Sequence, residues 1–323
     1  MQSQYAGVAG RSRRPDHRNR AISVSPDAAE VPLRIVLMIT GSVLWIAFVV
    51  SIIGLVYGIV LGLVFFFVQL SLIAHIRGSS IKLGPQQLPE LYERVDEIAQ
   101  RIGMKTVPDV YLRQSGGVLN AFATRFGRAR FVVLFSDLVE ACGDNVDALD
   151  FIIAHELGHI HRGHLNWRWL LAPAMFIPFL GTAYSRACEF TCDRYGFAAP
   201  SDPIRSLDGL CILAAGPQYA AMVDMEEFAA QSRDLDTVFM KLGGWFATHP
   251  PLAQRIAALD FNLETDVQGS TTATVGALLV AVVIFVVPLV GGAFALKQVV
   301  DDAVNKFTAQ TGAGKGSLRL APR

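Results

Sequence analysis

The stretch AHELGHIHRGH, Ala154 to His164, puts four histidines into eleven residues. Residues four apart lie on one face of a helix. His155 and His159 are so spaced, and Glu156 sits beside them. That H-E-x-x-H order offers two neutral nitrogen ligands to a zinc ion and a carboxylate placed to take a proton from a water. A catalytic zinc has three protein ligands and one open position. The longer spacing H-E-x-x-H-x-x-G-x-x-H would need a glycine and a histidine at positions 162 and 165, where Arg162 and Leu165 stand. His161 points to another side of the helix. His164 follows Gly163, so geometry permits it as a ligand, but a surface or headgroup-facing histidine is the expectation. SRACEFTCD (185–193) supplies better candidates. Glu189 and Asp193 are again four apart, the first able to bind the metal and the second to hold a ligand histidine in one tautomer.

The elements around these residues are readable from periodicity. NVDALDFIIAHELGHIHR (145–162) reads as a helix with Leu149, Ile152, Ile153, Leu157 and Ile160 on its apolar side, capped by Asp144 or Asn145 and ended by Gly163. LPELYERVDEIAQRIG (88–103) is an amphipathic helix with Pro89 in its first turn. VPDVYL (107–112), LNAFAT (119–124) and RFVVLF (130–135) read as strands, the last two forming a hairpin around Gly127. Further helices are expected around 182–195, 203–215, 225–242 and 251–260. The fold class is thus mainly α with a small antiparallel β-sheet, joined to transmembrane helices.

Composition points to the membrane. Of 323 residues, 52% are hydrophobic and 17% charged, and the 28 basic residues balance the 28 acidic ones, which gives no case for a nucleic-acid partner. From Ile35 to Ile76 there is no formally charged side chain, apart from the titratable His75, a run that fits two spans in a hairpin with Ser51, Gly54, Tyr57 and Gly58 as turn material. Val275 to Leu296 fits one more, kinked at Pro288, Gly291 and Gly292. Arg11, Arg13, Arg14, Arg18, Arg20 and Arg34 precede the hairpin, and Arg77 and Lys82 follow it. By the positive-inside rule the tail and the domain after the hairpin are cytoplasmic. Four cysteines (Cys142, Cys188, Cys192, Cys211) without paired spacing fit reduced thiols there. The expected layout is a disordered basic tail (1–32), a transmembrane hairpin (33–76), a catalytic domain (77–266), a third span (273–297) and a flexible tail (298–323). WLLAPAMFIPFLGTAY (169–184), broken by Pro173 and Pro178, is too short to span. A crossing there would also part His159 from Glu189, so it reads as a hydrophobic loop at the membrane interface.

NAFAT (120–124), HELGH (155–159), SRACEFTCD (185–193) and HPPLAQRI (249–256), in this order, resemble the membrane zinc metallopeptidases of the HtpX and type I CAAX prenyl endopeptidase family, which are gluzincins. The resemblance covers most of 88–260. It implies one zinc per chain held by His155, His159 and Glu189, with Glu156 as catalytic base and Asp193 holding a ligand in place. It implies that Asn120, Ala121, Phe122, Ala123 and Thr124 form an edge strand on which an extended polypeptide substrate pairs. His249 would be a cleft residue acting at the oxyanion or the metal. Three departures stand out: Arg125 where the family has glycine, Cys192 where it has alanine, and a shorter stretch between His159 and Glu189 than in HtpX. The expected activity is hydrolysis of misfolded or membrane proteins at a bacterial inner membrane. Prenyl-protein processing, or a non-catalytic membrane chaperone keeping the zinc fold, are the competing readings. Partners are polypeptide and lipid bilayer; nothing in the chain indicates oligomers, though none are excluded.

Overall fold

A computed structural model describes residues 20–259, 271–281, 283–284, 291–292, 295 and 297–306. The chain divides into two compact units, residues 1–233 with 244–267, and residues 234–243 with 268–323. The larger one carries every candidate site residue named above.

Its first elements are two long apolar helices, α1 (Glu30–Val50) and α2 (Ile52–Ser79). Ser51 breaks the run with an extended backbone, and its hydroxyl accepts from the Gly54 N–H to start α2. Both helices are long and apolar enough to cross a membrane, and only 11% of each span is buried. Ile39, Val43 and Phe67 face outward, an arrangement that water penalises and lipid does not.

A four-stranded sheet follows: β1 (Ile81–Lys82), β2 (Asp109–Arg113), β3 (Ala121–Phe126) and β4 (Ala129–Phe135), in the order β1-β2-β4-β3. The hairpin of β3 and β4 is antiparallel as expected, with Gly127 at φ +58° in its turn. The sheet as a whole is mixed, because β2 pairs with β4 in parallel. The chain reaches β3 first and returns through β4, so β4 fills the centre and β3 is left on the edge.

One sheet face packs against α3 (Pro89–Ile102) and α5 (Val146–His161), with Val95, Ile98, Val110, Val132, Ile153 and Leu157 in the shared core. The other face takes Ile73 and Ile76 from the end of α2. Asn145 caps α5 through its side-chain oxygen, 3.1 Å from the Ala148 nitrogen. After α4 (Ser136–Cys142) and α5 come α6 (Arg168–Met175) and α7 (Leu180–Ala198). The expected interfacial loop at 169–184 is therefore mostly helical. Pro173 shortens α6, a turn through Phe179 at φ +68° reverses the chain, and α6 packs on α1 through Leu37, Leu171 and Ala174. Gly41 leaves room for the Leu170 carbonyl at this crossing.

Four short helices, α8 (Pro203–Ser206), α9 (Asp208–Ala215), α10 (Pro217–Ala220) and α11 (Met225–Ala230), precede α12 (Val238–Phe246) and α13 (Leu252–Leu259). α9 and α13 cover the remaining side of α5 through Leu210, Cys211 and Ile256. The smaller unit contains α14 (Thr271–Ala281). Of the expected third span at 273–297, residues 282, 285–290, 293, 294 and 296 lie outside the described residues.

The tail departs from expectation. Residues 1–19 lie outside the described residues, but 20–29 are not loose. Ile22 is buried in the core and its N–H donates to the Arg101 carbonyl, Asp27 N–H donates to Thr191 Oγ1, and Arg194 donates to the Ser25 carbonyl. Composition hides this, since single apolar and backbone contacts leave no periodic signal.

Candidate metal centre

α5 and α7 cross at close range, and two glycines make that possible. A Cβ on Gly196 would lie 2.9 Å from the Phe151 ring, and one on Gly158 would lie 3.2 Å from the Tyr195 ring. The crossing brings three side chains to one point. His155 Nε2 and His159 Nε2 are 3.3 Å apart, Glu189 Oε2 is 3.4 Å from the first and Glu189 Oε1 is 3.3 Å from the second. All three residues offer a ligand atom within 4.8 Å of the others.

Two ring nitrogens and a carboxylate, turned on each other in a buried pocket, need a proton or a metal cation between them. The three groups are electrostatically coupled. Burial works against charge on Glu189, but the two imidazoles hold its carboxyl far below the ordinary carboxylate range. Burial likewise disfavours the His155 imidazolium, yet Asp193 and Glu189 outweigh it and raise His155 to about 10. The donor set fits a divalent metal with nitrogen and oxygen ligands.

Asp193 lies against the first histidine of the motif. Its Oδ1 is 2.9 Å from His155 Nδ1, which leaves the Nε2 lone pair for the centre. A residue that spacing did not single out holds Asp193 in turn. Arg255, on α13, donates from Nε at 2.8 Å and from Nη2 at 2.5 Å, and both side chains are buried. Arg255 lies within HPPLAQRI, so the motif contained the signal but not the partner. His249, at the other end of the motif, is 3.6 Å from Glu189 Oε1 and mostly exposed, with Thr248 Oγ1 3.0 Å from its Nδ1.

His164 is not the surface histidine expected. It is buried, and its Nδ1 lies 3.1 Å from His159 Nδ1, on the side of that ring away from the centre. Gly163, at φ +73°, turns the chain back at the end of α5 and folds His164 against the ring it follows. His161 stacks edge-on with Tyr195 and takes no part. Cys188 and Cys192 are buried as expected; burial pushes the Cys188 thiol up to about 12 and the Cys192 thiol well above its ordinary value.

The centre opens into a cleft of about 660 Å³. Glu156, Asn120, Ala121, Phe122 and Ala123 line it, so the H-E-x-x-H acid and the edge strand share one space. Thr124, next along β3, is buried. The opposite wall is apolar: Phe65 of α2 packs edge-to-face on Trp169 of α6 at 4.8 Å between centroids, and Met175 and Phe176 extend it. Phe176 is 88% exposed. Arg125, where a glycine was expected, is pinned beside the strand by the Gly127 carbonyl and Asn166 Oδ1.

A paired helix crossing that aims H-E-x-x-H and a glutamate at one point beside an edge strand is the architecture of a metallopeptidase domain. Comparison with known proteins places it further. Residues 85–176 and 168–262, together more than half of the chain, match Peptidase family M48, and the chain belongs to that family. It is 29% identical over 203 residues to the plastoglobule-localized metallopeptidase 48, chloroplastic, of Arabidopsis thaliana, covering 58% of each chain. It is 27% identical over 220 residues to a protease HtpX homolog of Gemmatimonas aurantiaca, covering 54% of this chain and 76% of that one. The crystal structure of S. mikatae Ste24p aligns with a TM-score of 0.42 and 16% identity over 72% of this chain and 63% of that one. This chain thus spans little more than half the length of the plant relative. Its first two helices are long and apolar enough to cross a membrane.

Proposed function

We propose that the chain is an integral-membrane zinc endopeptidase that hydrolyses misfolded or membrane polypeptides on the cytoplasmic side of a bacterial inner membrane. The observation that carries this is the convergence of His155, His159 and Glu189 in a cleft shared with Glu156 and the edge strand of the sheet. One zinc per chain would be held by those three residues. When bound, it supplies Lewis acidity, bringing the pKa of a water from ~16 to ~7 and polarising a peptide carbonyl. Glu156 takes the proton from the attacking water and returns it to the leaving amine. Asp193 keeps His155 in the tautomer whose Nε2 faces the centre. The free edge of β3, from Asn120 to Thr124, pairs with an extended substrate main chain, and His249 stands where it can donate to the developing oxyanion.

The arrangement of the domain supports a membrane-side role. Arg34 and Arg77 flank the hairpin on the side of the domain, and Phe65 brings a helix of the hairpin into the cleft wall. An open cleft of this size favours unfolded chain over a prenylated terminus, which would call for a chamber enclosed by membrane spans. An intact Glu156 favours turnover over a scaffold, which needs ligands but no base.

Glu156→Gln in the full chain, purified in detergent, is the test. The variant is expected to keep one zinc per chain by metal analysis and to lose chelator-sensitive cleavage of casein. Cleavage at the wild-type rate refutes the role given to Glu156, and a wild-type protein without zinc refutes the centre.

A further inference from the structure

We propose that His164 and Glu30 are positioning residues for His159, forming a relay that ties the foot of the first apolar helix to the metal centre. The inference rests on the reading of His159 as a metal ligand and extends it to residues outside the H-E-x-x-H, Glu189 and Asp193 set. To present a lone pair at Nε2, His159 must carry its proton on Nδ1. That atom faces His164 Nδ1 at 3.1 Å, so His164 Nδ1 accepts and the His164 proton sits on Nε2. There it lies 3.4 Å from Glu30 Oε1, at ion-pair distance from the carboxylate though not in hydrogen-bond geometry. The reverse assignment fails twice. It aims an N–H of His159 into the centre, 3.3 Å from His155 Nε2, and turns a bare nitrogen of His164 towards a carboxylate oxygen. The Glu30 carboxylate therefore selects the tautomer that leaves His159 free to bind.

Glu30 is itself held. It is fully buried, Arg162 Nη2 donates to Oε1 at 3.0 Å, and Thr191 Oγ1 donates to Oε2 at 2.6 Å. Arg162 ends the zinc-site helix α5, Thr191 lies two residues past Glu189 on α7, and Glu30 opens α1. What Asp193 does for His155 directly, Glu30 does for His159 through one intervening ring. Cys192 Sγ, 3.7 Å from His164 Nδ1, is a weak neighbour in this arrangement.

The test uses the full chain in detergent and measures the zinc dissociation constant by chelator competition, with kcat and KM for a casein-derived peptide. His164→Phe keeps a ring but removes both nitrogens and is expected to weaken zinc binding roughly 10–100-fold, the usual effect of losing such a partner. It should lower kcat with little change in KM. His164→Asn, whose amide oxygen accepts the same proton, should recover most of the loss. Glu30→Gln, isosteric and able to keep the Thr191 contact, should weaken zinc in the same direction, while Cys192→Ala should not. Wild-type zinc affinity in both His164→Phe and Glu30→Gln, or equal damage from Phe and Asn at position 164, overturns the relay. Loss of zinc in Cys192→Ala overturns it in favour of a site made by His159, His164 and Cys192. His159→Ala separates the two levels: if it abolishes zinc binding while His164→Phe does not, only the relay falls, and if it keeps zinc, the ligand reading falls as well.

Discussion

Replacing Arg255 by methionine is expected to cost the fold about 3–5 kcal/mol, although Arg255 is not one of the candidate metal ligands. The magnitude follows from its surroundings. Arg255 and Asp193 are both buried, and the guanidinium grips the carboxylate through two hydrogen bonds at 2.8 and 2.5 Å. Burial disfavours the Asp193 carboxylate, and Arg255 with His155 overcomes that to hold its pKa below the ordinary value. Methionine fills most of the volume but leaves a buried negative charge with one imidazole for company. For a domain of 150–250 residues each kcal/mol moves the melting temperature by roughly 2–4 °C, so a drop of about 6–20 °C is expected. Thermal unfolding of the full chain in detergent with excess chelator measures it. The double variant Asp193→Asn with Arg255→Met should lose less than the two single changes together, by about 0.5–3 kcal/mol. A single variant melting with the wild type, or strictly additive losses, would show that the pair is not the buried clamp described here.

Two further outcomes rest on other parts of the fold. Gly196→Ala puts a methyl group 2.9 Å from the Phe151 ring and 3.0 Å from its carbonyl at the α5–α7 crossing, so it should destabilise by about 1–3 kcal/mol and weaken zinc by shifting Glu189; an unchanged melting temperature would show that the helices have slack. Asp150 is a pH handle: burial raises its carboxyl to about 6 despite the Arg94 guanidinium 2.7 Å away. The folded state then keeps a proton that the unfolded state releases from about pH 4, so the group's contribution to stability falls as pH rises from about 4 to 6 and is level above that. Asp150→Asn should therefore raise the melting temperature relative to wild type, with a gap that opens over that window and amounts to no more than about 3 kcal/mol. A gap that stays constant from pH 4 to 7 would contradict the assignment.

Much of this was legible along the chain. Four-residue spacing places His155 and His159 on one face and Glu189 and Asp193 on another, whatever the helices pack against. The apolar run from Ile35 to Ile76 permits two spans without reference to any neighbour. Alternation and a glycine turn give the β3–β4 hairpin. The parallel pairing of β2 with β4 was not legible, because a strand's own pattern does not say which neighbour it meets. The same holds for Glu30, His164 and Arg255. Each is a polar residue whose role lies in a partner between 5 and 161 positions away.

By itself, then, the amino-acid order determined which donors existed, which faces they shared and which segments suited lipid, since these follow from helical and strand periods within one element. Only the tertiary structure decided which acid met which imidazole. Asp193 meets His155, His164 meets His159, and Glu30 reaches the end of α5 and the middle of α7 from the start of the first apolar helix. Those choices depend on how closely Gly158 and Gly196 let two helices approach and on the turn at Gly163, distances that no periodicity encodes.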